Sequence, residues 1–213
     1  SLRRAGWNVH VCDVRLEAAQ AFAADGGVAC ASPAELAAHC EVIVSVVVNA
    51  AQTDTVLFGD GGAAAAMQPG SLFVMCSTVD PNVSVQFEQR LAALGLLYLD
   101  APISGGAAKA ASGEMTMMTS GTPAAYAKAG SALEAMAAKV YRLGDQAGNG
   151  SKVKIINQLL AGVHIAAAAE AMALGLREGV KAEDIYEVIT HSAGNSWMFE
   201  NRMAHVLAGD YTP

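Results

Sequence analysis

Seven consecutive residues, Val42-Ile43-Val44-Ser45-Val46-Val47-Val48, are almost all β-branched and carry no charge. A strand with one wet face alternates apolar and polar residues. A continuous β-branched run is instead a strand covered on both faces, as in a parallel sheet layered with helices. Parallel neighbours need crossover connections, usually helical, so the run limits the chain to an α/β architecture if the flanking sequence supplies helices.

It does. Trp7 to Cys12 reads as a short strand, and Leu16 to Ala24 as a helix stopped by Gly26-Gly27. Ser32-Pro33-Ala34-Glu35 is a helix start, with Ser as the cap, Pro at the first helical position and Glu reaching back. Further helices are expected over Thr53 to Phe58, Pro81 to Leu94 and Pro123 to Ala137. Strands are expected at Ser71 to Met75 and Leu96 to Leu99, with Met115 to Thr119 as a later strand at one side of the sheet and Lys139 to Leu143 as a short extended piece. After Gly144 to Gly150 the alternation ceases. One long helix follows, Ser151 to about Glu178, with Val153, Ile156, Leu160, Val163 and Ala167 recurring at helical spacing as its core face. Helices near Ala182 to His191 and Trp197 to Leu207 complete the chain. The expected domains are residues 1-147 and the all-helical 148-213.

Composition narrows the function. The net charge of −7 comes without any basic run, which argues against nucleic acid as partner. No unbroken apolar stretch reaches the roughly 18 residues that would span a bilayer, so no membrane role is expected. Cys12, Cys30, Cys40 and Cys76 form no CxxC pair and read as buried free thiols of a reducing cytoplasm. The histidines have no ligand spacing, so no metal is expected. Both ends read as incomplete. Ser1 to Gly6 is a helix end without a helix, and Pro213 falls in mid-loop, which suggests a fragment that lacks a first strand and its glycine loop.

Four places carry chemistry. Asp13 stands just past the first strand, where a doubly wound nucleotide-binding sheet places an acid on the adenosine ribose. A carboxylate there favours NAD over its 2′-phosphorylated form. Val47, Val48 and Thr78 follow buried strands, at the carboxyl ends where open parallel sheets bind ligands. Asp100-Ala101-Pro102-Ile103-Ser104-Gly105-Gly106 offers a hydroxyl and two unobstructed main-chain N–H groups, a cradle for a carboxylate, although a plain tight turn would have the same composition. Lys154 has Asn157 three residues on and Gln158 four, so all three project from one side of a helix. A lysine on an otherwise apolar helix is partly desolvated, which lowers its pKa as a general base requires. Lys152 has only Ile155 and Ile156 at those spacings and reads as solvated. Gly148-x-Gly150 reads as a flexible hinge into the helix, since Gly150-Ser151-Lys152 has the wrong order for a phosphate loop.

Asp100-Ala101-Pro102-Ile103-Ser104-Gly105-Gly106, followed by Gly148-x-Gly150-x-x-x-Lys154-x-x-Asn157-Gln158, resembles the β-hydroxyacid dehydrogenases, a family that includes 3-hydroxyisobutyrate dehydrogenase and tartronate semialdehyde reductase. The resemblance covers the whole chain. It implies a Rossmann-like, doubly wound, mostly parallel sheet followed by an all-α domain entered through a long interdomain helix. It implies NAD as cofactor, Lys154 as the catalytic residue, Ser104, Gly105 and Gly106 on the substrate carboxylate, and Asn157 and Gln158 on the substrate. Val47, Val48 and Gln52 match the family's cofactor segment loosely, through main-chain groups above all, and Thr78 matches its nicotinamide-side threonine. Asn195 to Arg202 and Gly209 to Pro213 resemble a branch whose substrate is a polyhydroxylated four-carbon acid such as L-threonate, a site for which Asn195 is a further candidate. A homo-oligomer, dimer or tetramer, in the cytoplasm is the implied setting. A non-catalytic binding module of the same fold is the rival, distinguished by Lys154, which a scaffold has no need to retain.

Overall fold

The computed structural model describes residues 1–210. The chain divides into two compact units, Ser1–Ile155 and Ile156–Pro213.

The first unit is α/β. A 3-10 turn at Arg3–Ala5 leads to β1 (His10–Val11), α1 (Leu16–Ala24), β2 (Val28–Ala29), α2 (Pro33–Ala37), β3 (Val42–Ser45), α3 (Ala50–Phe58), β4 (Leu72–Met75), α4 (Pro81–Ala92) and β5 (Leu97–Asp100). Then come β6 (Ile103–Ser104), α5 (Gly106–Ser112), β7 (Met115–Gly121), α6 (Pro123–Met136) and β8 (Ala137–Arg142). β1 and β2 pair in parallel as a small sheet, and β3, β4 and β5 are parallel neighbours in register.

The burial on both faces expected of the central strands is complete on β4, whereas the run Val42 to Val48 is a strand only over Val42–Ser45, alternately half-buried and buried, and its Val46 and Val48 lie beyond the strand and are exposed. On β4, Phe73 and Met75 enter one core with Ile43, Leu57, Phe87, Leu91 and Tyr98. Leu72 and Val74 enter the other with Leu99, Met117, Tyr126 and Leu133. Successive side chains of a strand point to opposite faces, so one four-residue strand anchors both helical layers. The predicted start of α2 is present with one change: Ser32 Oγ accepts from Glu35 N–H (3.1 Å), while Glu35 Oε2 reaches one residue past the cap and accepts from Ala31 N–H (2.7 Å).

Three expectations change. β7 does not lie at the side of the sheet. It runs antiparallel to both β5 and β6 and is also flanked by β8, because β6 is a strand in its own right. β6 and α5 lie where a turn was expected: two extended residues and a seven-residue alanine- and glycine-rich helix give too little periodicity to read. Of the four free cysteines, only Cys30 and Cys76 are buried, while Cys12 and Cys40 are half-buried.

α7 (Asn149–Arg177) begins in the first unit and runs through the second, which also holds α8 (Ala182–Thr190) and α9 (Trp197–Ala208). Ala168, Met172, Ile185, Phe199 and Met203 form the second unit's core. Gly175 lets α7 and α8 meet closely, since a Cβ there would lie 2.3 Å from Ile185 Cδ1. Asn195, between α8 and α9, is tied inward: its amide donates to the Thr190 carbonyl (3.1 Å) and to Glu200 Oε1 (2.6 Å). Ser196 caps α9 by accepting from Phe199 N–H (3.0 Å).

The stripe predicted as the core face of α7 is overturned. Val153, Ile156, Leu160 and Val163 are exposed, and the buried positions are Gly150, Ser151, Lys154, Ala168 and Met172. Helical spacing identifies residues that share a side, but not which side is covered, and nearly every side of this helix is apolar. For the same reason α7 is long and apolar enough to cross a membrane on length and composition. Read as an unbroken run the same helix falls short, because Lys152, Lys154 and Glu170 interrupt it.

Candidate active site

Asp13 follows β1 and is exposed. Its Oδ1 accepts from Arg15 N–H (2.8 Å), a local turn that leaves the carboxylate at the surface with the Arg15 guanidinium 3.8 Å away. The loop after β3 is held rigidly. Asn49 caps α3 by accepting from Gln52 N–H (2.9 Å), and Gln52 Oε1 accepts from Val48 N–H (2.8 Å). Ser77, at the end of β4, donates to the Val47 carbonyl (2.7 Å) and lies 3.2 Å from Thr53 Oγ1. Two of the polar groups expected to face a ligand, the Val47 carbonyl and the Val48 N–H, are therefore spent within the loop, together with the Gln52 side-chain oxygen. What the loop turns outward is apolar: Val46 and Val48 are 64% and 78% exposed. Thr78 follows β4 and is exposed. Aliphatic surface and a hydroxyl at the carboxyl ends of parallel strands suit a nicotinamide dinucleotide, whose rings present flat apolar faces and whose ribose and phosphates need polar partners.

Ser104 ends β6, opposite Thr116 on β7, and Gly105 and Gly106 start α5. Gly105 has φ +134°, and a Cβ there would sit 2.8 Å from Lys109 Cβ, so the position excludes any side chain. The Ser-Gly-Gly sequence thus turns a strand into a helix, with bare main chain at the junction.

Lys154 lies in the second turn of α7 and is only 7% exposed. Among the described residues no carboxylate lies in ion-pair range of it, and burial alone pushes its pKa below the usual lysine value. Lys152, two residues earlier, is exposed and donates to Asn149 Oδ1 (3.2 Å). The chemical difference between the two lysines is thus desolvation. In the second unit Asn157 is half-buried, Gln158 is exposed, and the Asn157 amide donates to Gln158 Oε1 at the long distance of 3.5 Å. Tyr211, Thr212 and Pro213, part of the sequence expected to mark the substrate branch, lie outside the described residues.

Sequence reasoning left one group without a role. The carboxylate of Asp100 is wholly buried, and it accepts hydrogen bonds from Gly148 N–H (2.9 Å), Ser151 N–H (2.9 Å), Ser151 Oγ (2.7 Å) and Ser120 Oγ (3.1 Å). Ser120 Oγ in turn accepts from Gly150 N–H (2.9 Å). The glycines before Lys154 are therefore no flexible hinge. Gly150 is pressed against the sheet so closely that a Cβ would lie 2.3 Å from the Met118 carbonyl oxygen. A charge at the end of the apolar run Leu97-Tyr98-Leu99 was the one signal in the sequence.

Residues 1–144 match the NAD binding domain of 6-phosphogluconate dehydrogenase. Residues 148–213 match the NAD-binding domain of NADP-dependent 3-hydroxyisobutyrate dehydrogenase. Fold and site together define an NAD-binding oxidoreductase that acts on CH–OH groups. L-threonate dehydrogenase of Cupriavidus necator is 68% identical over 213 residues, which is all of this chain and 72% of that protein. L-threonate dehydrogenase of Escherichia coli K12 is 53% identical over 180 residues, 84% of this chain and 60% of that protein. The crystal structure of a 3-hydroxyisobutyrate dehydrogenase from Salmonella typhimurium superposes with a TM-score of 0.94 at 51% identity, covering 99% of this chain and 74% of that one. The chain belongs to the β-hydroxyacid dehydrogenase family of 3-hydroxyisobutyrate dehydrogenase type.

Proposed function

We propose that this chain oxidises L-threonate, or a closely related four-carbon sugar acid, at its 3-hydroxyl, with NAD as hydride acceptor and Lys154 as general base. The observation that carries the reading is the desolvated, unpaired Lys154 at the start of a helix whose neighbouring lysine is solvated. In the reactive state Lys154 is neutral, and its Nζ takes the hydroxyl proton as the hydride leaves the same carbon. In reverse, the ammonium returns that proton to the forming alkoxide. NAD, when bound, supplies the nicotinamide carbon that accepts the hydride.

In this reading Ser104 and the main-chain N–H groups of Gly105 and Gly106 hold the substrate carboxylate, and Asn157 and Gln158 bond its hydroxyls without adding charge. Asp13 meets the adenosine ribose, which favours NAD over NADP. Val47, Val48 and Gln52 form a loop along the cofactor, with the Val48 side chain turned outward, and Thr78 stands on the nicotinamide side with its hydroxyl. The protein works in the cytoplasm as a homo-oligomer, away from nucleic acid and membrane, and light scattering on the assayed sample gives its mass. The names of the C. necator and E. coli relatives support L-threonate as substrate.

The test is a steady-state panel with NAD and NADP against L-threonate, 3-hydroxyisobutyrate and, with the reduced cofactors, tartronate semialdehyde. L-threonate with NAD is expected to give the highest kcat/KM. Lys154→Met is expected to lose about 100- to 10,000-fold in kcat with NAD affinity retained. Near-parental turnover by that variant would remove Lys154 from the chemistry. Activity on none of the substrates would favour a binding module.

A further inference from the structure

A buried carboxylate normally needs a cation nearby or several hydrogen bonds. Asp100 has no ion pair among the described residues. Its partners are instead the main-chain and side-chain donors at the start of α7: Gly148 N–H, Ser151 N–H and Ser151 Oγ, with Ser120 Oγ carrying the connection on to Gly150 N–H. The first N–H groups of a helix have no partner within the helix, and a carboxylate is also favoured there by the helix dipole. Asp100 is reached from β5, 48 to 51 residues earlier in the chain, so this is a tertiary clamp and no local cap. Gly150 completes it, lying flush against the Met118 carbonyl where no side chain fits.

Lys154 is four residues after Gly150 and three after Ser151, so it stands directly one turn above the clamped groups. We propose that Asp100, relayed by Ser120, is a positioning residue for Lys154: its carboxylate fixes the rotation and axial height of the first turn of α7 and thereby the place of the lysine Nζ. The inference rests on Lys154 acting as the base. A shift of about 1 Å in such a group is enough to cost about 100-fold in turnover. The other titratable groups that feel the Asp100 charge are Cys76, Glu88, Tyr98 and Tyr126, each pushed upward with burial as the leading cause.

The experiment compares kcat–pH profiles of the parent, Asp100→Asn, Ser120→Ala and Lys154→Met, each normalised to folded enzyme. Asp100→Asn keeps the volume but sets an amide N–H₂ against hydrogen-bond donors. Its kcat is expected to fall about 10- to 100-fold, with KM for NAD changed less than about threefold. Because a displaced lysine is better solvated, the acid limb of its profile is expected to move to higher pH. Ser120→Ala is expected to show the same shift to a smaller degree. A role confined to folding lowers the amount of active protein and leaves the limb in place, and that outcome overturns the proposal, as does an unchanged kcat. If Asp100→Asn does not fold, Ser120→Ala decides by the same criterion. Retained turnover in Lys154→Met overturns the underlying reading instead, whatever the Asp100 variant does.

Discussion

Two glycines of one helix should respond to the same substitution with opposite signs. At Gly150 an alanine methyl would be built 2.3 Å from the Met118 carbonyl oxygen and 3.1 Å from both the carbonyl and Oδ2 of Asp100. Carbon–oxygen contacts settle near 3.3–3.6 Å, so the helix start must retreat by about 1 Å. The hydrogen bonds from Gly148 and Ser151 to Asp100, now 2.9 Å, would then pass the limit of a useful bond. Overpacking costs about 1–3 kcal/mol and weakening a buried charged bond about 1–3 more, against roughly 1 kcal/mol gained in helix propensity. The net loss is about 1–5 kcal/mol, which for a chain of this size lowers Tm by about 2–20 °C. Gly162 lies on the same helix with no atom within 4 Å of a new Cβ, so Gly162→Ala keeps only the propensity gain and raises Tm by about 2–4 °C. Scanning calorimetry on the two variants gives both signs. A Gly150→Ala protein melting at or above the parent temperature would refute the close packing of the helix start.

Two further outcomes follow from the buried ionisable groups. Burial holds Lys154 below the usual lysine pKa of 10.5, so between that lowered value and 10.5 the unfolded chain binds a proton that the folded chain does not. The penalty on folding is full below the lowered pKa and fades as pH rises to 10.5. Lys154→Met should therefore raise Tm at pH 7 even as it lowers turnover, and the gain should shrink at pH 10; a gain of equal size at both pH values refutes the desolvation. Burial also pushes the Cys76 thiol up to about 12 from 9.0, with the Asp100 charge adding to the effect. At pH 8 its thiolate is about a thousandfold scarcer than that of an ordinary thiol. Mass spectrometry after iodoacetamide treatment should find Cys76 unmodified in the folded protein and all four cysteines modified in urea, and rapid labelling of folded Cys76 would contradict its burial.

What the sequence revealed and what it concealed divide along the range of the interactions. Ser32, Pro33 and Glu35 start and cap α2 through contacts that span only Ala31 to Glu35, so the start of α2 is readable from composition. The alternate burial of Leu72, Phe73, Val74 and Met75 is likewise a property of one strand, and the helices that cover both faces follow from it. Lys154 was legible because its contrast with Lys152 depends on spacing along one helix. The clamp on that helix was not, because Asp100, Ser120 and Ser151 meet only once the sheet has formed. The exposed stripe Val153, Ile156, Leu160 and Val163 was misread for a related reason: periodicity carries no information about where the covering surface comes from. The short β6 and α5 were missed because glycine and alanine give almost no pattern to read.

Asp100 closes β5 and Ser104 closes β6, with only Ala101, Pro102 and Ile103 between them. The buried acid that grips the helix start and the hydroxyl at the glycine junction are thus two ends of one short ruler. Ala101 and Pro102 are themselves buried, so the ruler has no slack to absorb a change in length. Between positions 100 and 104, variation is confined to exchange of one residue for another, since adding or deleting a single residue would move one end relative to the other by a full residue step.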